Sequence, residues 1–301
     1  MTAAAKRPAF GVLAAAGSAT AFGVTIVTQR RLAQHGLSVA TTLGLRFAVA
    51  ALLLLAFLAL RRAPLLPVRG ERRWALLLGG IGYAGEAALF YAGLQRGSAS
   101  AVSLLFYSYP AIVTVLEVVL RLRPPRAVTF GVVLLSTAGA TLIVVTGDRV
   151  SITPGGVAFA LGAALSFSCY LLLSQRLLRA SPPAVVGAHV ALGAGACILA
   201  VGALTGALDA SRGDVPLLLL NGAATAVAFA LLYAALANLA AGAAAVVMTL
   251  EAFVTVGLAA LLLDERIRPP QLAGGAVVMV AAVVVALGTR TPVVDPDAPV
   301  P

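Results

Sequence analysis

The chain has 301 residues, 61% apolar and only 11% charged, with a mean hydropathy of +1.03 and a net charge of +10. An ordinary soluble domain carries about 25% charged residues, so soluble enzymes, disordered chains and disulfide scaffolds are excluded and a polytopic membrane protein remains. At ~20 residues per membrane helix, ten helices use ~200 residues and leave no room for a separate soluble domain.

Ten apolar runs follow in chain order, at 9–29, 39–60, 73–94, 98–120, 126–146, 155–178, 184–205, 214–236, 242–263 and 270–288. Each approaches the length that spans ~30 Å of hydrocarbon. They read as helices, because each run must satisfy its own backbone polar groups. The ~10-residue alternating segments of a β-barrel do not occur. The expected fold class is therefore an all-α integral membrane protein with ten transmembrane helices. Lys6 and Arg7 precede the first run as in a signal peptide, but no cleavage site follows, and the run reads as an uncleaved first helix. Pro64, Pro67, Pro124-Pro125, Pro154-Gly155, Pro182-Pro183 and Pro269-Pro270 punctuate the connections. Cys169 and Cys197 fall inside apolar runs and read as reduced. The tail 291–301 carries four prolines and reads as disordered.

Basic residues set the orientation. They sit in short loops, where anionic lipid headgroups rather than nucleic acid are the expected partner. With the N-terminus in the cytoplasm, the inner segments hold 13 of them: Lys6, Arg7, Arg61, Arg62, Arg69, Arg72, Arg73, Arg121, Arg123, Arg126, Arg176, Arg179 and Arg290. The outer loops hold 7: Arg30, Arg31, Arg96, Arg149, Arg212, Arg266 and Arg268. This bias predicts both termini inside, in a bacterial cytoplasmic (inner) membrane.

The chain also repeats itself. Laid over residues 218–236 without a gap, residues 76–94 match at 10 of 19 positions, including Gly80/Gly222, Tyr91/Tyr233 and Leu94/Leu236. Gly11-Val12 with Gly156-Val157, Gln29-Arg30 with Gln175-Arg176, and Pro124-Pro125 with Pro269-Pro270 keep nearly the same offset. Helices one to five thus correspond to helices six to ten, giving halves at 1–148 and 149–290. Five is odd, so the second half enters the membrane upside down. Such inverted repeats are a device of secondary transporters, with the substrate site near the midplane between them.

With these features the sequence resembles the drug/metabolite transporter superfamily, and within it the ten-helix EamA-type exporters. Leu45-Arg46-Phe47, Tyr109-Pro110, Leu250-Glu251-Ala252 and Asp264-Glu265-Arg266-Ile267 carry the resemblance, over about residues 9–288. The first half lacks a Glu matching Glu265, and His189 stands near the position matching Arg46. The resemblance implies export of small metabolites, and is strongest toward the broad and aromatic amino-acid exporters.

Ionisable side chains inside a bilayer cost ~2.5–3.5 kcal/mol on insertion scales and mark candidate sites. Arg46 is ~10 Å from the outer end of helix two. It reads as a fork for a substrate carboxylate or as half of a structural ion pair. Glu86 sits mid-helix one turn after Tyr83, as a site for an ammonium group or a coupling proton, or as the partner of Arg46. Glu251, mid-helix in helix nine, and His189 in helix seven are further proton candidates, with helix-bonded side chains as the alternative. Glu117, four residues before Arg121, reads as a structural pair. Ser103, Tyr107, Pro110, Thr114 and Glu117 share one face of helix four, read as lining a cavity. Pro110 frees a carbonyl, which membrane interiors tolerate only where protein or water satisfies it. Ser18, Phe22, Thr25 and Gln29 form a similar stripe in helix one, as do Asn221 and Thr225 in helix eight. Either stripe could face a cavity or another helix.

The residues expected to bind substrate are therefore Arg46, Tyr83, Glu86, Ser103, Tyr107 and Glu251, with Glu86, Glu251 and His189 as proton carriers. The expected function is alternating-access export of small metabolites, amino acids foremost, with efflux of cationic or lipophilic drugs as the alternative. With only His35 and His189, no metal cluster is expected, and no Asp lies within a helix for aspartyl chemistry. No Gly-x-x-x-x-Gly-Lys loop is present for ATP, so neither cofactor nor enzymatic activity is expected.

Overall fold

The computed structural model describes residues 7–97, 99–124, 126–145, 152–178, 180–208, 214–263 and 268–288. Lys6, Pro125, Arg149, Arg179, Arg212, residues 264–267, Arg290 and residues 291–301 lie outside them. Within them the chain runs through helices α1 (Pro8–Gln34), α2 (Val39–Leu60) and α3 (Arg72–Leu77). A π-helical turn, Leu78–Tyr83, joins α3 to α4 (Ala84–Leu94). Helices α5 (Ala99–Phe106), α6 (Tyr109–Val119), α7 (Ala127–Val145), α8 (Pro154–Leu177), α9 (Pro183–Leu204) and α10 (Val215–Asn238) follow. The chain continues through α11 (Ala241–Met248), α12 (Leu250–Leu263) and α13 (Pro269–Gly288).

Eight stretches among the described residues are long and apolar enough to cross a membrane, three of them composite: α3 with α4, α5 with α6, and α11 with α12. Shorter apolar stretches at Ala127–Leu142 and Pro269–Val285 fall in the fifth and tenth apolar runs. One boundary differs from expectation. Arg30 and Arg31, assigned to an outer loop, lie within α1, which runs on to Gln34. Their charges suit the last turns of a helix, where the carbonyl dipoles point. Gly36 ends the chain's helical course with φ +85.

Contacts between distant segments define two ends of the bundle. At one end, the Arg7 N–H donates to Asn238 Oδ1, and the Val68 N–H to Ser181 Oγ. At the other, His35 Nδ1 meets Asp214 Oδ1 at 2.7 Å, Ser38 donates to the Ala207 carbonyl, and Arg31 donates to the Leu262 carbonyl. Helix α1 packs along α10, α4 along α8, α2 along α9, and α7 along α13. The polar stripe of α1 faces protein: Ser18 donates to the Ala228 carbonyl, and the Phe22 and Phe229 rings lie 6.1 Å apart.

Small residues let α9 approach the α3–α4 unit closely, as membrane helices without a hydrophobic drive between them require. A Cβ on Gly79 would stand 2.0 Å from the Val190 carbonyl oxygen, and one on Gly193 only 2.2 Å from that of Leu76. Backbone cannot yield as a flexible side chain can. Gly79→Ala is therefore expected to destabilise the protein by ~1–3 kcal/mol or more. Gly85→Ala, where a Cβ meets nothing within 4 Å, should be close to neutral. Melting of the purified proteins in detergent checks this, and equal melting points would refute the close approach.

Candidate functional site

Three composite spans are interrupted near their middles, and the interruptions carry the candidate residues. Tyr83 closes the π-helical turn, and Glu86 lies in the first turn of α4. Tyr107 and Ser108 form the break between α5 and α6, just before Pro110 at the start of α6. Glu251 lies in the first turn of α12, after a break at Thr249. The proline break was legible in sequence; the one at Thr249, with no proline, was not. Both breaks share one device. Ser108 Oγ donates back to the Leu105 carbonyl at 2.6 Å, and Thr249 Oγ1 back to that of Val246 at 2.7 Å. Hydroxyls that bond back along a helix compete with its own ladder.

Arg46, in the uninterrupted α2, is 6% exposed. Its Nη1 donates to Gln29 Oε1 at 3.0 Å, and its guanidinium lies 4.6 Å from the centre of the Phe47 ring. Its charge acts on Tyr83, Glu86 and Glu251, and Glu251 acts in turn on Glu86, Tyr107 and Tyr109. The structure thus gathers Arg46, Tyr83, Glu86, Tyr107 and Glu251 into one electrostatic neighbourhood. Yet among the described residues neither Glu86 nor Glu251 comes within ion-pair distance of Arg46, and Arg46 Nε is buried with no acceptor. A closed structural ion pair is therefore not what holds this arginine.

Aromatic rings wall the neighbourhood. The Tyr83 ring packs against Phe47 at 5.2 Å, Tyr170 at 5.2 Å and Phe229 at 5.3 Å. Phe106 joins Phe90, Tyr107, Tyr109 and Phe167 beside it. Of the tyrosines noted in sequence, Tyr91 is 40% exposed and faces away from this wall. Phe167 and Phe229 were missed, because phenylalanines in an apolar run carry no signal of their own; Phe47 was noted only as the aromatic that follows Arg46.

The remaining candidates sit apart. Ser103 is half-buried one turn before Tyr107, and its carbonyl receives the Tyr107 N–H. No contact of its hydroxyl joins it to the cluster among the described residues. His189 is buried on α9, with Nδ1 2.9 Å from the Val185 carbonyl of its own helix. Glu117 does not pair with Arg121. Helix α6 ends at Val119, Arg121 turns away with φ +53, and Arg123 Nε approaches Glu117 Oε1 at 3.9 Å instead. Gln29, noted in sequence only as part of the polar stripe of helix one, accepts from Arg46 Nη1. Its counterpart Gln175 serves differently, donating to the carbonyls of Leu236 and Leu239 at the end of α10.

A family model matches this chain twice, over residues 9–145 and 154–287. The chain belongs to the EamA-like transporter family. It is therefore a membrane transporter of small molecules. A relative in Bacillus subtilis (strain 168), described as the uncharacterized transporter YwfM, is 27% identical over 206 residues, covering 67% of this chain and 69% of that protein. A crystal structure of another protein superposes with a TM-score of 0.77 at 16% identity, over 91% of this chain and 96% of that one. That likeness shows the fold alone.

Within the wall of this EamA-like transporter, Phe229 is fully buried and touches Phe22, Phe47, Tyr83 and Tyr233. Phe229→Ala should cost ~3–5 kcal/mol. Tyr91→Ala, at the exposed ring, should cost far less. Thermal melting of both variants decides, and equal losses would count against the wall.

Proposed function

We propose that this transporter exports small amphiphilic metabolites, amino acids foremost, from the bacterial cytoplasm by alternating access. The observation that carries the reading is that buried Arg46 closes no ion pair among the described residues and keeps Nε without an acceptor. A buried arginine without a carboxylate partner is costly unless an anion arrives. An amino acid brings a carboxylate for Arg46 and an ammonium for Glu86 or Glu251, so one ligand answers the arginine and one of the two glutamates. Gln29 occupies Nη1 and Tyr83 also bonds the guanidinium, while Nε has no acceptor and is the donor a substrate carboxylate would meet. The rings of Tyr83, Tyr107 and their neighbours offer an apolar lining for the side chain. Ser103 lies one turn from Tyr107 and would extend that lining. Glu86 and Glu251 at the centre, and His189 apart from them on α9, are the groups to carry a coupling proton.

Two halves, 1–148 and 149–290, inserted in opposite senses, would rock about this centre. The paired family match, the packing of α1 on α10 beside that of α4 on α8, and the matching hydroxyl breaks at Ser108 and Thr249 support that division. The second reading, efflux of cationic or lipophilic drugs, draws on the two carboxylates against one arginine and on the aromatic wall.

Transport of matched acid and amide substrates into vesicles separates the two. Arg46→Lys should reduce transport of amino acids at least ~10-fold while sparing their amides, because an ammonium cannot reproduce the forked contact. Gln29→Glu, which supplies a permanent carboxylate to Nη1, should show the same selectivity with an unchanged or raised melting point. Uniform loss for acids and amides, with a lowered melting point, would make Arg46 structural and remove the support for amino acids.

The 13-to-7 distribution of basic residues supports cytoplasmic termini. Single cysteines at the exposed positions Gln34 and Arg69, in a chain without Cys169 and Cys197, test this. An impermeant maleimide added to intact cells should label Gln34→Cys and spare Arg69→Cys. The reverse pattern would invert the orientation and turn the proposed exporter around.

A further inference from the structure

Glu117 is buried, charged and outside the proposed substrate site, and its contacts cross between the two matched regions of the chain. Its Oε1 accepts the Gly242 N–H at 3.2 Å, and the Ala241 N–H bonds to the same carboxylate. These are the first two residues of α11, whose N-cap, Ala240, has no side chain able to cap it. The first N–H groups of a helix need an acceptor and carry the positive end of its dipole. A carboxylate from α6 supplies both. Gly242 makes room: a Cβ there would stand 2.8 Å from Glu117 Oε2 and 3.1 Å from Thr114 Oγ1. Further along the same seam Tyr109 donates its hydroxyl to the Ala245 carbonyl at 3.2 Å.

The seam is one-sided. Toward the His35 end the same two spans part. There α5 packs on α7 and α8, α12 packs on α1, α13 and α7, and no packing of α5 on α12 comparable to the α6–α11 seam appears among the described residues. Glu251 and Tyr107 lie between the seam and that divergence. The two spans thus meet at the end that holds Arg7, and the Glu117 contact to α11 lies in that seam.

We propose that Glu117 is the latch that shuts this end of the transporter, and that its carboxylate must leave Ala241 and Gly242 before the end can open. This rests on the alternating-access reading above. A latch has to hold and also release. A charge-assisted bond at the water boundary does both, because water takes over the carboxylate and the freed N–H groups alike. Arg123, 3.9 Å from Glu117 and 41% exposed, marks that boundary and is placed to receive the released carboxylate.

The test reads opening directly and uses no substrate, so its outcome is separate from that of the acid and amide pairs. Reporters are Val113→Cys and Ala244→Cys, both fully buried beside the seam, with Ala191→Cys in α9 as an equally buried control. The full chain, with Cys169 and Cys197 replaced by alanine, is placed in nanodiscs of phosphatidylethanolamine and phosphatidylglycerol and treated with an impermeant maleimide. Glu117→Ala should accelerate labelling of both reporters roughly tenfold or more and leave the control unchanged. Glu117→Gln, which keeps one acceptor oxygen, should fall between. Gly242→Ala keeps the carboxylate but displaces it, and should accelerate the reporters even if Glu117→Ala fails to fold. Unchanged reporter rates, or a control that accelerates equally, would make Glu117 a structural cap and overturn the latch.

Discussion

Inside hydrocarbon a backbone N–H or C=O without a partner costs several kcal/mol, and this constraint governs the molecule. It forces every spanning segment into helix and permits a break only where protein or water can satisfy the freed groups. Three spans are nevertheless broken here, at the Leu78–Tyr83 π-helical turn, at Tyr107–Ser108 and at Thr249. Each break places an aromatic or acidic side chain at the common centre: Tyr83 with Glu86, Tyr107, and Glu251. The irregular backbone is thus concentrated where the polar side chains are, as in transporters built on discontinuous helices.

The centre is balanced loosely. One guanidinium faces two carboxylates without closing on either, and one of its donors has no acceptor. A tightly closed pair would be a weak stabiliser and would leave nothing for a ligand. The looser arrangement costs stability locally, while the surrounding rings and glycine-mediated helix contacts hold the framework. The close approach of α9 to the π-helical turn, with backbone against backbone at Gly79 and Gly193, fixes the base on which Tyr83 and Glu86 stand.

Matched positions in the two parts of the chain have diverged in what they do. Gln29 holds the arginine, whereas Gln175 ties down the end of α10. Arg46 carries the fixed charge, whereas His189 is bonded to its own helix. Tyr91 faces outward, whereas Tyr233 is fully buried and its hydroxyl lies 2.9 Å from that of Tyr170.

The sequence by itself determined the all-helical membrane class and the family, because hydropathy over ~20 residues and the spacing of punctuating prolines are local quantities. It also singled out Arg46, Glu86 and Glu251, since an ionisable group in an apolar run is conspicuous wherever it points. Tertiary structure alone decided which of these meet. Pairing across spans depends on helix rotation and close approach, so Gln29 reaching Arg46, the rings of Phe47, Phe167 and Phe229 around Tyr83, and Glu117 leaving Arg121 for the start of α11 had no one-dimensional signature. The i,i+4 expectation for Glu117 failed for a physical reason: the helix ends two residues before Arg121, and orphan N–H groups of a buried helix start compete more strongly for a carboxylate than a neighbouring exposed arginine does.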